Sequence, residues 1–438
     1  MSQQNNHYVP QFLLKRFGEK INVYDVKSAV LTMRKRPDKV FCSNGLYEDE
    51  LEHLFNVNAE SKVANLLFNK ILTDEAEVTL NIEELLLLKK FFAIEQLRTP
   101  DSKLYIRHER EDFEKTSPKD LEKLGYFDNP TSKLNDEEYL KQTLKNILEY
   151  NGYSEKDFLD WIKDPNVTYS AQKWMRIYMQ CYLSFWDSKK SGEDFLITDV
   201  GMSCEHDPSK FLHDNSTQME LLKPGFYISL LENPNYSEMQ KRFIIENMVN
   251  GSEVRANFYF FSLTATRTIV LIDPFFRIFD KDEPWTSLFH LPLPDIWPSG
   301  FIDRSLIEKN KVLYENIEKA QQRIFSPNDK YIYKIHDMEL EDVLYYNSLL
   351  LDRIDSVIGF GESKRIIRSL ASYLQVSAPR NDYRKLKTEL ENIGYSIPSS
   401  EKYRKIAHDF VDRPMQAITK GSKYIEYAIY AMNSGKTR

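Results

Sequence analysis

The stretch Asn257-Phe-Tyr-Phe-Phe-Ser-Leu263, followed closely by Thr268-Ile-Val-Leu-Ile272, decides the fold class. Both runs are rich in β-branched and aromatic residues, which favour strands. The runs Phe195–Val200 and Phe226–Leu230 have the same character, so we expect four strands of one sheet, with a helix at about 237–249 between them. A sheet inside a chain whose remaining pattern is helical indicates the α+β class.

Helical periodicity covers most of the chain on both sides of these strands. Before them, we predict a hairpin at about 21–33, and residues 101–135 are expected to form a loop or an exposed helical segment. The predicted helices lie at Gln11–Phe17 and at about 50–72, 82–98, 135–150, 155–163, 168–187, 304–324, 338–357, 361–376, 382–392, 400–410 and 414–432.

The length of 438 residues suggests about two or three domains, or one domain with large insertions. We expect an α+β domain at 1–300, helical over 47–190 and with its sheet at 195–275, and then a helical C-terminal region at 301–438. The proline-rich stretch Trp285–Gly300 marks the boundary. The predicted fold is therefore helix-predominant α+β, with an N-terminal hairpin, one small mixed or antiparallel sheet in the middle and a helical end.

Composition indicates a globular protein, with 42% apolar and 29% charged residues. Three cysteines without a C-x-x-C pair exclude a disulfide framework and a simple zinc or redox motif. The N-terminus is polar, and no apolar run approaches the ~20 residues of a spanning helix. We therefore expect a soluble cytoplasmic protein without a membrane partner.

Charge is unevenly distributed along the chain, whose net charge is −7. Residues 1–40 have a net charge of +5 and residues 401–438 a net charge of +4. The basic N-terminal segment could contact nucleic acid or another anionic ligand, and the C-terminal helices could contact a protein partner. Solubilising surface charge is the simpler interpretation of both ends.

The stretch His7-Tyr-Val-Pro-Gln-Phe-Leu-Leu14 is the most distinctive motif, because Walker, Rossmann, zincin, kinase and nucleophile-elbow signatures do not occur. It resembles the opening of a bacterial family of unknown function whose members begin with H-Y-V-P-Q. The resemblance covers roughly residues 5–345. Further similar segments are Arg16-Phe17, Val23-Tyr24-Asp25, Glu52 with Glu60, Gln96-Leu-Arg-Thr-Pro100 and Phe195-Leu-Ile-Thr-Asp199.

The resemblance implies a place in mobile, defence-associated gene neighbourhoods, which is an association and not a mechanism. One departure affects a candidate site. After Asp199 the chain reads Val200-Gly201-Met202, where the family has Asn-Pro, and a role for this loop loses support accordingly.

His7 is the strongest candidate for chemistry, since histidine titrates near neutral pH and can serve as base, acid or metal ligand. It precedes Pro10 at a predicted helix N-terminus, which would lower its pKa and suit a phosphate. The alternative is a hydrogen bond that fixes the N-terminal arm. Gln11, one residue into the same helix, either orients a substrate or caps a strand.

Glu60 lies between apolar helix neighbours, so a buried carboxylate there needs a partner such as His7 or Arg98. Gln96 continues an apolar stripe and is expected on the core side. Arg98 is about 200° further round the axis, and the helix dipole explains it fully. We therefore favour Gln96 and Glu60 over Arg98 as site residues.

Asp199 ends a predicted strand, where an acid either faces a cleft or forms a turn. With Glu60 it is our candidate pair of ligands for Mg²⁺ or Mn²⁺. The cluster Cys204-Glu205-His206-Asp207, with His213 beyond it, has competent zinc ligands at irregular spacing, and we favour a loop without metal.

Two functions compete. The first is a metal-dependent phosphodiesterase or nuclease whose catalytic residues are His7, Gln11, Glu60, Gln96 and Asp199. The second is a sensor or scaffold without turnover, in which the same polar groups are a structural network. A third interpretation, binding of a nucleotide-derived signal, would use the aromatic strands with Arg255 or Arg267.

Overall fold

A computed structural model shows the architecture. It describes residues 5–46, 49–99, 102–115, 134–152, 155–180, 182–198, 203–205, 258–272, 330–354, 357–361, 365–375, 379 and 381–403.

Twelve strands lie in the described ranges and form two larger sheets and one short pair. The six-stranded sheet has the order β5-β11-β6-β10-β9-β8; its pairs are antiparallel except β11–β6. The four-stranded sheet is antiparallel, with the order β3-β2-β12-β7, and β1 pairs with β4. The strands are β1 (Asn5–His7), β2 (Ile21–Asp25), β3 (Val30–Lys35), β4 (Cys42–Asn44), β5 (Glu77–Asn81), β6 (Tyr182–Asp187), β7 (Ile197–Thr198), β8 (Ser203–Glu205), β9 (Phe258–Ser262), β10 (Arg267–Ile272), β11 (Lys330–Asp337) and β12 (Val357–Phe360).

Eleven α-helices surround these sheets in the same ranges. Two of them, with the π-helical turns Asn56–Glu60 and Leu67–Ile71, form one continuous rod that we call the 49–71 helix. The helices are α1 (Gln11–Phe17), α2 (Asp49–Phe55), α3 (Ser61–Leu66), α4 (Ile82–Leu97), α5 (Ser102–Lys115), α6 (Asp136–Glu149), α7 (Glu155–Ile162), α8 (Tyr169–Gln180), α9 (Leu340–Arg353), α10 (Ile367–Tyr373) and α11 (Arg384–Asn392).

The six-stranded sheet has a hydrophobic core on each face. Successive side chains of a strand point to opposite faces, so Ile269 and Leu271 of β10 join one core and Val270 joins the other. The first core packs against the 49–71 helix, α4, α6 and α8. The second packs against α9, α10 and α11. Burial on both faces fixes the strand register.

Helix α4 is the central helix of the first core and is buried on nearly all sides. Asn81 and Glu84 start it with a capping box, in which each side chain accepts a hydrogen bond from the other residue's backbone N–H. Its two buried lysines reach carbonyls at the ends of other helices. Lys90 Nζ lies 2.6 Å from the carbonyl oxygens of both Leu148 and Tyr150. Helix α4 is thus fixed in position by polar as well as apolar contacts.

The α+β class, the N-terminal hairpin and the helical character near the C-terminal end are confirmed. Two details were wrong. Tyr182–Asp187, predicted as the end of a helix, is a strand of the six-stranded sheet, since helix α8 ends at Gln180. The predicted single sheet is divided, because Ile197–Thr198 pairs with β12 and not with β9 or β10.

Strands β11 and β12 were not predicted from the sequence. They place residues beyond 300 in the same sheets as β2 and β6, so backbone hydrogen bonds cross the expected domain boundary. The division at residue 300 stays a prediction. The expected strand at 226–230 and the helices at 237–249, 304–324 and 414–432 lie outside the described residues, and so does most of the helix expected at 400–410.

Gly359 of β12 fits closely against the N-terminal segment. A Cβ atom at this position would lie 2.8 Å from Cγ2 of Ile197 and 2.9 Å from Cε2 of Phe41. Phe41 in turn contacts Tyr8 edge to face, with 6.1 Å between the ring centroids. Strand β12 therefore supports Phe41, which in turn packs against Tyr8 directly after β1.

We expect Gly359→Ala to lower the free energy of unfolding by about 1–3 kcal/mol, because the added methyl group overpacks this contact. Urea denaturation at pH 7 measures the change. Phe41→Leu in the same chain should recover part of the loss, and a double-mutant cycle gives the coupling energy. Strictly additive effects would show that the Gly359–Phe41 contact is not the cause.

No helix in the described part of the chain is both long enough and apolar enough to cross a membrane.

Candidate functional site

Three segments distant in sequence meet below the N-terminal strand. Strand β1 contributes Asn6 and His7, and the 49–71 helix contributes two glutamates. The end of α4 contributes one glutamate and one arginine. We call this group the Arg98 cluster; its members are Asn6, His7, Glu52, Glu60, Glu95 and Arg98.

A π-helical turn places the two glutamates of the 49–71 helix side by side. Glu52 and Glu60 are eight residues apart, which in a regular α-helix leaves them about 80° apart around the axis. The π turn at Asn56–Glu60 accommodates an extra residue, so the separation behaves like about seven residues, or two full turns. Both carboxylates consequently reach Arg98.

Arg98 is the centre of the cluster and is only 1% exposed. Its Nη1 makes a short ion pair with Glu60 Oε1 and lies 3.6 Å from Glu95 Oε1, and its Nη2 lies 3.3 Å from Glu52 Oε1. The guanidinium carbon also lies 4.6 Å from the ring centroid of Phe55. One guanidinium cation thus lies beside three carboxyl groups. Because it balances only one negative charge, protonation of one carboxyl group is favoured.

Glu95 is the carboxyl group most strongly affected. Burial raises the pKa of Glu95 to about 8, and the nearby charges of Glu60 and Glu52 contribute to the rise while Arg98 opposes it. Within the described residues, the polar contact of Glu95 Oε1 is the one with Arg98 Nη1, and 3.6 Å is long for a hydrogen bond. Glu95 is therefore mainly protonated at neutral pH, a buried acid without a fixed acceptor for its proton.

The pKa of His7 is shifted in the opposite direction to that of Glu95. Burial lowers the pKa of His7, and the charge of Arg98 lowers it further, whereas Glu60, Asp38 and a hydrogen bond to the Val40 carbonyl oppose the shift. Within the described part of the chain, Nδ1 has no hydrogen-bond partner. The neutral ring therefore presents a lone pair, as a general base requires.

The backbone around residue 41 positions this histidine. Strand β1 pairs antiparallel with β4 through His7 and Cys42, and the Tyr8 N–H donates to the Phe41 carbonyl at 3.0 Å. Phe41 has a φ of 51°, a left-handed conformation that is strained for a bulky residue. The surrounding contacts hold this conformation and so fix the segment that follows the Val40 carbonyl.

The cluster reaches solvent through the 49–71 helix. The side chains of Glu52 and Glu60 are 25% and 20% exposed, whereas Glu95 and Arg98 are each 1% exposed. Burial raises the pKa of Glu52, while Arg98 and a hydrogen bond from Asn6 oppose the change. The two glutamates therefore form the partly exposed outer edge of a polar group whose interior is buried.

The structure brings together some of the predicted residues. His7 and Glu60 both lie in the cluster, and Glu60 pairs with Arg98, one of its two expected partners. Gln96 is half-buried and lies in the sequence between two cluster residues, whereas Arg98 holds the centre of the cluster; the role of Gln96 as a site residue stays a prediction. Gln11 begins α1 and is half-buried. Asp199 lies outside the described residues.

Glu95 and Asn6 were not predicted from the sequence as site residues. The signal for Glu95 was its i,i+3 spacing from Arg98, the distance at which helical side chains meet. The lowered pKa of His7 was expected, but its causes are burial and Arg98 and not a helix N-terminus. His7 itself lies on a strand.

Neither of the two candidate metal sites can be built from the described residues alone. In those ranges, no group of three or more His, Cys, Asp or Glu side chains is arranged to hold a metal ion. The Glu60–Asp199 pair includes a residue outside them. Of the cysteine-histidine cluster, the backbone of Cys204 and Glu205 belongs to β8, while His206, Asp207 and His213 are not described.

Comparison with known proteins gives one match. Residues 5–353 match the family model described as "Protein of unknown function (DUF4238)". The chain belongs to this family. No curated protein and no solved structure matches the chain. The DUF4238 match includes every member of the Arg98 cluster and helix α9. It also includes the whole six-stranded sheet and the four-stranded sheet without β12.

Proposed function

We propose that this DUF4238 protein is a phosphodiesterase, with a nucleic acid as substrate and the Arg98 cluster as its active site. One observation carries the proposal: Arg98 gathers Glu52, Glu60 and Glu95 beside the buried His7, and two of these carboxylates are partly exposed. Titratable groups with shifted pKa values that are gathered at a partly exposed edge are typical of active sites.

The pKa shifts support acid–base chemistry. Glu95 keeps its proton near neutral pH, which limits the negative charge around Arg98, and His7 stays neutral and can accept a proton. In hydrolysis, a water oxygen forms the new bond to phosphorus and gives its proton to His7 Nδ1. The bond from phosphorus to one nucleoside oxygen breaks, and that oxygen takes a proton from solvent. Arg98 favours the anionic transition state.

Glu60 at the outer edge is the proposed metal ligand, with Asp199 as its predicted partner. Mg²⁺ is commonly held by one or two carboxylates together with water and substrate phosphates. A site of this kind needs no third protein ligand, which suits the described residues. Gln11 and Gln96 remain proposed substrate-orienting residues beside it.

The cellular setting is also a proposal. We infer a cytoplasmic bacterial effector in antiviral defence, as the composition and the H-Y-V-P-Q resemblance imply. The exposed basic residues of the first 40 positions would contact the nucleic acid, and the C-terminal helices would contact a protein partner.

A cleavage assay tests the proposal. The full chain would be incubated with single-stranded DNA, RNA, linear duplex and plasmid, in Mg²⁺, Mn²⁺ or EDTA. We expect metal-dependent cleavage that falls about 10²- to 10⁴-fold in His7→Gln, since an amide can donate to the Val40 carbonyl but cannot take a proton at neutral pH.

His108→Gln is the matched control, because His108 lies on α5 with 65% of its side chain exposed. It should cut like the parent. Equal cutting by His7→Gln, or no cutting of any substrate by a folded protein, would contradict the phosphodiesterase.

The second candidate is a sensor or scaffold in which the cluster is a structural network. Its support is the near-complete burial of Arg98, which ties the 49–71 helix to α4. In that case His7→Gln would lower the unfolding temperature and no substrate would be cut. The same experiment therefore separates the two candidates.

A further inference from the structure

The outer face of the 49–71 helix loses its acidic side chains beyond Glu60. Residues 61–72 contain no carboxylate, although 66 of the 438 residues in the chain are acidic. The exposed positions on this stretch are Ser61, Lys62, Asn65, Phe68 and Asn69. A surface of amides, a hydroxyl, a lysine and one aromatic ring suits a polyanion with aromatic parts.

Phe68 is the most conspicuous residue on this face. It is 63% exposed, more than any other large hydrophobic residue in the described ranges. A single exposed apolar residue needs no explanation by itself. Here, however, the guanidinium carbon of Arg16 lies 5.5 Å from the ring centroid, so a cation and an exposed ring share one position.

Helix α1 supplies this cation. Lys15 and Arg16 are both exposed in its last turn, and α1 follows directly after His7-Tyr-Val-Pro10. The segment that carries His7 therefore also carries the positive charges beside Phe68. We call the surface of Lys15, Arg16, Lys62, Asn65 and Phe68 the Phe68 platform.

The platform is continuous with the Arg98 cluster. Ser61 follows Glu60 in the chain, and Phe68 lies seven residues further, or about 10 Å along the helix axis. A bound strand could therefore lie along the helix surface with one end at Glu60.

We propose that the Phe68 platform binds single-stranded nucleic acid, with one unpaired base stacked on Phe68 and the neighbouring phosphates on Lys15, Arg16 and Lys62. Stacking needs a free base face, which a duplex hides between its base pairs. The platform then directs the strand to Glu60 and His7. This inference rests on the proposed function, since it names the substrate class of that site.

Fluorescence anisotropy tests the platform separately from catalysis. Labelled oligo-dT, oligo-U and a duplex would be titrated with the full chain in EDTA, where metal-dependent cutting is suppressed. We expect the single strands to bind more tightly than the duplex. Phe68→Ala should weaken single-strand binding roughly 5- to 150-fold, the effect of losing one stacked base.

Two further variants complete the test. Arg16→Gln should weaken binding and reduce the slope of log affinity against log salt by about one. Ile393→Ala is the matched control, since Ile393 is another apolar residue that is 50% exposed but follows α11. It should leave the affinity unchanged.

The outcomes are distinguishable from those of the cleavage assay. Normal single-strand affinity in Phe68→Ala, preference for duplex, or no binding of any oligonucleotide overturns the platform. Phe68-dependent binding without cleavage supports the platform and contradicts the proposed phosphodiesterase activity. Cleavage together with unchanged affinity in Phe68→Ala supports the proposed active site and contradicts the platform.

Discussion

Replacing Arg98 with methionine is expected to lower the free energy of unfolding by about 3–5 kcal/mol, the loss typical of breaking a buried ion pair from one side. Methionine fills much of the same volume but leaves Glu52 and Glu60 without their cation. Both carboxylates would then have to take up protons or remain charged while mostly buried. Urea denaturation at pH 7 gives the size of the loss.

The matched control is Arg384→Met. Arg384 pairs with Asp382 at 2.6 Å, but the two side chains are 82% and 58% exposed. An exposed pair contributes little, so this change should stay within about 0.5 kcal/mol. A loss below about 1 kcal/mol for Arg98→Met would mean that solvent already screens the cluster.

The second large effect is a pH-dependent gain from Glu95→Gln. The pKa of Glu95 is about 8 in the folded protein, against 4.5 for the ordinary group. Folding therefore favours the protonated acid. Its contribution to stability is complete below pH 4.5 and is lost as the pH rises towards 8, by about 1.4 kcal/mol per pH unit.

Glutamine keeps the shape of the protonated acid and cannot ionise in the unfolded chain. The stability of Glu95→Gln relative to the parent should thus rise by an amount on the order of 4 kcal/mol between pH 5 and pH 8. Denaturation curves at half-unit pH steps measure it. A difference that is flat with pH would show that Glu95 is ionised in the folded protein.

Glu193 provides the comparison for Glu95. Burial raises its pKa to about 7, but both of its oxygens accept hydrogen bonds at 2.8 Å, Oε2 from Arg368 and Oε1 from Ser369. Glu193→Gln directs an amide N–H₂ towards some of these donors, so it should destabilise the protein across the pH range. Two buried acids with raised pKa values should therefore respond oppositely to the same substitution.

The sequence predicted elements whose signals are local. Pro10 and Gly18 bound helix α1, Thr99-Pro100 ends α4, and the aromatic run at 258–262 forms a strand. The strand Tyr182–Asp187 was missed because a short apolar run next to a helix has the same pattern whether it continues the helix or enters a sheet.

The site was only partly predictable, for a different reason. The need of Glu60 for a basic partner follows from burial, and Arg98 was one of the expected partners. The central place of Arg98 depends on the π turn that aligns Glu52 with Glu60, and tertiary packing determines whether such a turn forms. The helix dipole gave Arg98 a sufficient local explanation and so concealed its contact with Glu52, 46 positions earlier.

Strand β12 has a consequence for the order of events during synthesis. The last residue of the Arg98 cluster is at position 98, but β12, which packs Gly359 against Phe41, is at 357–360. A ribosome adding roughly 5–20 residues per second needs about 13–52 s to cover that interval. Throughout it, β2 lacks its β12 neighbour and Phe41 lacks the support of Gly359. The nascent chain thus holds every side chain of its candidate site well before it can hold that site in place.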